Sequence, residues 1–196
     1  MESPFVLSLS PVTSTTGPEA SRLMLAATQA SLGMIPNMYA RMANAPVLLQ
    51  TYQDGYARFR SESMLSPAEQ EVVFLSISVE NGCEYCVAAH SYLSDHKARV
   101  ANEVTDAIRD GAEIPDARLG ALSRFTRHLV LTRGRPTRDA ARAFFSAGFT
   151  ETHVLYLVLA IAVKTISNYS NHLFETPVDD VFAERIWHDD RHPAIR

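Results

Sequence analysis

The sequence predicts an all-α protein. Gly and Pro are sparse, 8 and 10 among 196 residues, whereas sandwiches and barrels need frequent turns. Helix start and stop signals recur along the chain, and no stretch alternates apolar and polar residues about a hairpin turn. With 46% hydrophobic and 20% charged residues, the composition is that of a globular domain able to bury a core.

Residues 1–16 carry Ser, Thr and Pro with little periodicity and read as an extended arm. Residues 17–186 read as one helical domain, and 187–196 as a C-terminal tail whose default is a frayed end. Thr16-Gly17-Pro18-Glu19 opens a helix with Pro in its first turn, running to about Ser31 and stopping at Gly33. Pro36 and Pro46 punctuate short segments before a helix over 46–60. Ser66-Pro67-Ala68-Glu69 is a strong start signal: Ser caps, Pro takes the first position, and Glu returns three residues later. That helix runs to Glu80, where Asn81-Gly82 breaks it. The next holds two cysteines and extends to about His96, followed by helices over 101–110 and 116–133, closed by Gly111 and Gly134. Thr137-Arg138-Asp139 starts another, ending at Gly148, and Thr150 caps a long apolar helix reaching Leu173.

Several function classes are excluded. The net charge is −4 with acids and bases interspersed, so no basic stripe offers itself to nucleic acid. The longest apolar run, Val154 to Val163, is ten residues bracketed by His153 and Lys164. A membrane span needs about twenty, so the run predicts a helix buried on every face. Met1-Glu2-Ser3-Pro4 lacks the basic start of a signal peptide, and the expectation is a reducing cytoplasm where a static disulfide does not persist.

Sliding 66–86 onto 150–170, an offset of 84 residues, matches Ser66 with Thr150 and Cys83-Glu84-Tyr85-Cys86 with Ser167-Asn168-Tyr169-Ser170. Two similar helical halves, thiols in one and hydroxyls in the other, would follow.

The chemistry concentrates at Cys83 and Cys86, the chain's two cysteines. One turn of helix puts residues three apart on one face, within reach of a disulfide. Free N–H groups in a helix's first turn favour the thiolate, which is the reacting form. His90 follows Cys86 by four residues, one turn along the same face, where an imidazole can take and return a proton. Glu71 is followed on its own face by Phe74, Leu75, Ser78 and Val79, so its carboxyl should be half-buried and, unless paired, raised in pKa. Along an unbroken helix Glu71 would lie about 18 Å from Cys83, so a Glu71–His90 relay needs the chain to fold back at Asn81-Gly82. Glu69 is explained as a cap partner, Glu84 should face water, and His96, His128, His153, His188 and His192 lack any register with the thiols.

Glu71, eleven residues, then Cys83-x-x-Cys86-x-x-x-His90 resembles the signature of the carboxymuconolactone decarboxylase-like superfamily. Its alkyl hydroperoxidase (AhpD-like) peroxidase branch is the nearer match. Ile35-Pro36-Asn37-Met38 and Lys164-Thr165-Ile166-Ser167-Asn168-Tyr169-Ser170-Asn171-His172 resemble stretches of peroxidase-related members, and the likeness covers most of 20–185. The resemblance implies an all-α fold of repeated helical halves in a homo-oligomer, a trimer or a hexamer of dimers. It also implies thiol-dependent reduction of hydroperoxides, with Cys86 attacking, Cys83 resolving, and Glu71 and His90 relaying protons. The best-known peroxidases of this family carry a second His just before the second cysteine, where this chain has Tyr85.

A thiol peroxidase of this kind needs a hydroperoxide and an external dithiol or thioredoxin-like reductant. It needs no metal, flavin or haem, and no Gly-rich nucleotide loop is present. A disulfide reductase or redox sensor would use the same pair. Zinc on Cys83, Cys86 and His90 would lack the second cysteine pair typical of structural sites. A non-redox decarboxylase-type enzyme would not need the pair, and a helical interaction module would not turn over.

Overall fold

The computed structural model describes residues 4–190, and among them the secondary structure is helical with no strand. Nine α-helices follow one another: α1 (Glu19–Leu32), α2 (Asn37–Met42), α3 (Pro46–Glu62), α4 (Pro67–Glu80), α5 (Glu84–Leu93), α6 (Asn102–Asp110), α7 (Ala117–Leu131), α8 (Arg138–Ser146) and α9 (Glu151–Phe174). A π-helical turn, Ser94–Ala98, extends α5, and a 3₁₀ segment, Asp180–Arg185, follows α9. The expected helices are all present within one to three residues of their sequence-read ends. α2 and the 3₁₀ segment are additions, each six residues long and too short for a 3.6-residue period to register.

α4 is the axis of the domain. Residues Glu69 through Val79 are all buried, against α5, α6, α7 and α9, the polar ones among them with hydrogen-bond partners: Glu69 with Arg118, Gln70 with Leu65 C=O, Glu71 with His90 and Ser76 with Ser123. Ser66 and Glu69 close the expected capping box at its start, and Arg118 also binds the Glu69 carboxylate at 2.8 Å. α3 packs on α9, and α8 on α7.

Four expectations are corrected. The Val154–Val163 run is not buried on every face: Leu155 is 71% exposed and Val158 51%, because α9 is covered by α2, α3, α4 and α5 only over part of its circumference. The residue-by-residue match of 66–86 with 150–170 does not carry the hinge across. α9 runs on where the repeat would break it, since Ile166 stands at the counterpart of Gly82 and a β-branched residue does not adopt the positive φ that ends α4. Residues 187–190 are not frayed: Asp189 is buried, its amide 3.3 Å from Glu84 Oε1, and His188 contacts the same carboxylate. Glu84 is thus engaged rather than simply facing water. Residues 191–196 of the tail, His192 included, and 1–3 of the arm lie outside the described residues. The rest of the arm is laid on the domain, with Leu7 N–H donating to Leu173 C=O and Val12 N–H to Ala40 C=O, both at 2.8 Å. No single helix among the described residues is long and apolar enough to cross a membrane; α8 and α9 pass that test only together, bent by 110°.

Candidate active site

The hinge between α4 and α5 builds the site. Gly82 turns the chain at φ 66°, a left-handed conformation that costs a side-chain-bearing residue energy. A Cβ there would also stand 2.5 Å from Asp189 Oδ2. The Cys83 amide then donates back to Ser78 C=O at 3.0 Å, Cys83 becomes the N-cap of α5, and Cys86 sits in its first turn.

Folding α5 back along α4 brings His90 to Glu71, with Nδ1 2.8 Å from Oε2. Arg60 of α3 donates through Nη2 to the other carboxylate oxygen and to the Tyr56 hydroxyl, and through Nη1 to Gln70 Oε1. Its guanidinium lies 4.8 Å from the centroids of both Tyr56 and Phe74, and the Phe74 ring is 5.0 Å from that of His90. Burial pushes the Glu71 carboxyl up, but the charge and hydrogen bonds of His90 and Arg60 outweigh it and hold it below the usual carboxylate range. The sequence expectation of a raised value was conditional on an unpaired carboxyl, and the pairing reverses it. An ionised Glu71 only accepts, so His90 Nδ1–H donates and Nε2 keeps its lone pair. Burial, aided by Lys164, pushes His90 down against the pull of Glu71 and Cys86, which favours the neutral imidazole.

The cysteines meet α9. Asn171 Nδ2 donates to Cys86 Sγ at 3.3 Å and to Cys83 Sγ at 3.8 Å, and Ser167 Oγ lies 3.9 Å from Cys86 Sγ. Both thiols are buried. Burial pushes each of them up, but for Cys86 the hydrogen bond from Cys83, the charge of Lys164 and that of a protonated His90 prevail and hold it well below the ordinary thiol value. Cys83, buried beside an anionic Cys86, is raised well above it. Within one turn of helix, one thiol is pushed toward its ionised form and the other away from it.

Sequence reasoning missed Arg60, Lys164 and Asn171. Lys164 served only to end an apolar run, and Asn171 only as part of a resembling stretch. Tyr85 is buried, and its hydroxyl donates to Asp179 Oδ2, which also accepts from the Asn37 amide. It ties the segment after α9 to the start of α2. The other described histidines read as without register have structural work: His96 pairs with Glu184, His128 accepts from the Thr137 amide, and His153 completes the cap of α9. Among the described residues no group of three or more His, Cys, Asp or Glu side chains converges as a metal site would require.

A cleft of about 920 Å³ opens beside the pair, its walls including Phe5, Cys83, Tyr169, Asn171, Leu173 and His188, but not Cys86. The Oδ1 of Asn171 is buried and has no hydrogen-bond partner among the described residues.

Residues 46–127 match the model of the carboxymuconolactone decarboxylase family. An alkylhydroperoxidase AhpD core, an uncharacterized peroxidase-related protein from Ralstonia eutropha JMP134, superposes with a TM-score of 0.74 at 21% identity, covering 89% of this chain and 96% of its own. An uncharacterized peroxidase-related protein from Silicibacter sp. TM1040 gives 0.74 at 19% identity, over 92% and 95%. A debrominase solved in complex with 2,3,4-tribromopyrrole gives 0.72 at 12% identity, over 91% and 95%. No curated protein matches the chain. At such identities the likeness is one of fold.

Proposed function

From a chain whose residues 46–127 match the model of the carboxymuconolactone decarboxylase family and whose fold is AhpD-like, we propose a thiol peroxidase acting on hydroperoxides. The observation that carries this reading is the arrangement about one helical turn: Cys86 and Cys83 share the Asn171 amide, one thiol pushed down and the other up, with His90 oriented by Glu71 one turn on.

The Cys86 thiolate attacks the distal oxygen of the peroxide. The Sγ–O bond forms as the O–O bond breaks, the leaving alkoxide takes a proton that His90 Nε2 picks up from water and hands on, and Cys86 becomes a sulfenic acid. Cys83 sulfur then attacks Cys86 sulfur; hydroxide leaves with the Cys83 proton as water, and a disulfide remains. An external dithiol, free or on a thioredoxin-like protein, reduces it by exchange. The cleft supports an approach of that reductant to Cys83, which lines it. The unpartnered Asn171 Oδ1 suits the O–H of a hydroperoxide, because a buried carbonyl oxygen is costly to leave unpaired. Tyr85 takes no part in this relay.

Mass measurement before and after one equivalent of hydroperoxide tests the reading. The wild type should lose two hydrogens, Cys83→Ser should gain one oxygen, and Cys86→Ser should do neither and leave the peroxide unconsumed. Peroxide consumed by Cys86→Ser but not by Cys83→Ser would reverse the roles. A wild type that leaves its equivalent untouched would make the pair a disulfide-exchange site instead.

A further inference from the structure

α9 faces the cysteine pair with three polar side chains at i, i+3 and i+7: Lys164, Ser167 and Asn171, all buried. A lysine only 1% exposed in the middle of a core helix is expensive, since a buried ammonium requires a compensating anion. None of the carboxylates among the described residues forms an ion pair with it; those of the core, Glu69, Glu71 and Glu80, are taken by Arg118, Arg60 and His90, and Arg127. Its Nζ lies 5.8 Å from the centroid of Phe74, the ring that also lies against His90. Further along the same face, Asn171 aims an N–H at Cys86 Sγ from 3.3 Å. Ser167 is a neighbour, not a donor to sulfur, because its hydroxyl donates to Lys164 C=O at 3.2 Å.

We propose that α9 forms an anion hole for sulfur, in which Lys164 is the fixed counter-ion of the Cys86 thiolate and Asn171 its directed N–H donor. The assignment rests on the peroxidase reading for its purpose but not for its test. It divides the site into two functions. α9 holds the negative charge on Cys86 in the resting protein, and His90 with Glu71 is left to move protons. The other titratable groups facing Cys86 are weaker sources of positive charge: burial pushes His90 down on α5, and it pushes up the Cys83 thiol beside it and the phenols of Tyr52 and Tyr56 on α3. Of the positive charges that act on the sulfur, Lys164 outweighs a protonated His90 and is the one that remains when the imidazole is neutral.

The test is titration of the reduced protein by ultraviolet thiolate absorbance, which needs no peroxide. Replacing Lys164 by Met keeps the shape and removes the charge, and Lys164→Gln serves as a second neutral variant with a polar head. Losing an opposite charge at close range should raise the Cys86 midpoint by about 1–3 pH units in both, while circular dichroism and melting report that the fold is intact. Asn171→Leu should raise it by less. Single-turnover peroxide consumption by Lys164→Met at neutral pH should fall by about tenfold or more, and recover as pH rises through the new midpoint. A midpoint unmoved in folded Lys164→Met or Lys164→Gln overturns the proposal, whatever the activity. A raised midpoint in a protein that never consumes peroxide would uphold the anion hole and reject the peroxidase reading.

Discussion

Glu71→Gln removes one charge and leaves the shape of the site almost unchanged. Its consequence follows from donor counting. The carboxylate accepts from Arg60 on one oxygen and from His90 Nδ1 on the other. A guanidinium can only donate, so the new amide must turn its oxygen to Arg60 and its NH₂ to His90. The imidazole then has to accept at Nδ1, which moves its own hydrogen to Nε2 and abolishes the free lone pair. Two hydrogen bonds to an ionised group become weaker ones, about 1.5–3 against 0.5–1.5 kcal/mol each. Arg60 is partly exposed and keeps Gln70 and Tyr56, so screening and alternative partners bring the loss to about 2 kcal/mol. In a protein of this size that is about 4–8 °C of melting temperature. Peroxide turnover should fall by about 10²–10⁴-fold, the usual contribution of a positioned acid–base group. The pH dependence has a definite sign. Because the folded protein holds the Glu71 carboxyl below its ordinary value, the stabilisation is complete above the unfolded pKa near 4.3 and is lost as pH falls through the folded one. The melting difference between wild type and variant should therefore close in acid. Stopped-flow peroxide consumption and thermal melts from neutral pH downward measure both effects. Full turnover with an unchanged melting temperature at pH 7 would refute the relay.

Two further outcomes are expected. Gly82→Ala forces a side chain into φ 66° and against Asp189 Oδ2, so it should cost about 1–2 kcal/mol and lower the melting temperature by about 2–8 °C; a melt equal to wild type would mean that the hinge is not constrained. The exposed Leu155 and Val158 on α9 suit self-association, so light scattering at micromolar concentration should give a multiple of 21.7 kDa that Val158→Glu reduces. A wild type that scatters as a monomer contradicts this.

The features legible in the sequence were those whose cause is local. Ser66 to Glu69 is a complete cap within four residues, so the start of α4 needed no knowledge of the fold. Gly82 marks a hinge because its conformational freedom is a property of the residue itself, and the hinge in turn implied that Glu71 could meet His90. What was not legible depends on packing between distant elements. Arg60 is an ordinary helical arginine until α3 is laid against α4. An apolar run has a length but no side, so the exposure of Leu155 and Val158 could not be read from it. Asp189 joins the domain only because Gly82 leaves it room.

The same limit explains why the two cysteines could not be told apart securely from sequence. Within α5 alone, Cys83 at the N-cap and Cys86 in the first turn both sit near the helix N-terminus, and the dipole contributes only about 0.3–1 kcal/mol at an exposed site. His90, four residues from Cys86, tips the balance by register, yet burial pushes His90 toward its neutral form, with its Nδ1 committed to Glu71. A neutral imidazole supplies a lone pair but no counter-charge. With Lys164 as counter-ion, the asymmetry that favours a Cys86 thiolate comes from across the interface as well as from the Cys83 hydrogen bond: Lys164 stands 78 positions on in the chain, on a helix face with no other anion to meet. Conversely, a thiolate at Cys86 makes the neighbouring Cys83 harder to ionise, so the tertiary contact that activates one sulfur also keeps the other protonated until a sulfenic acid needs it.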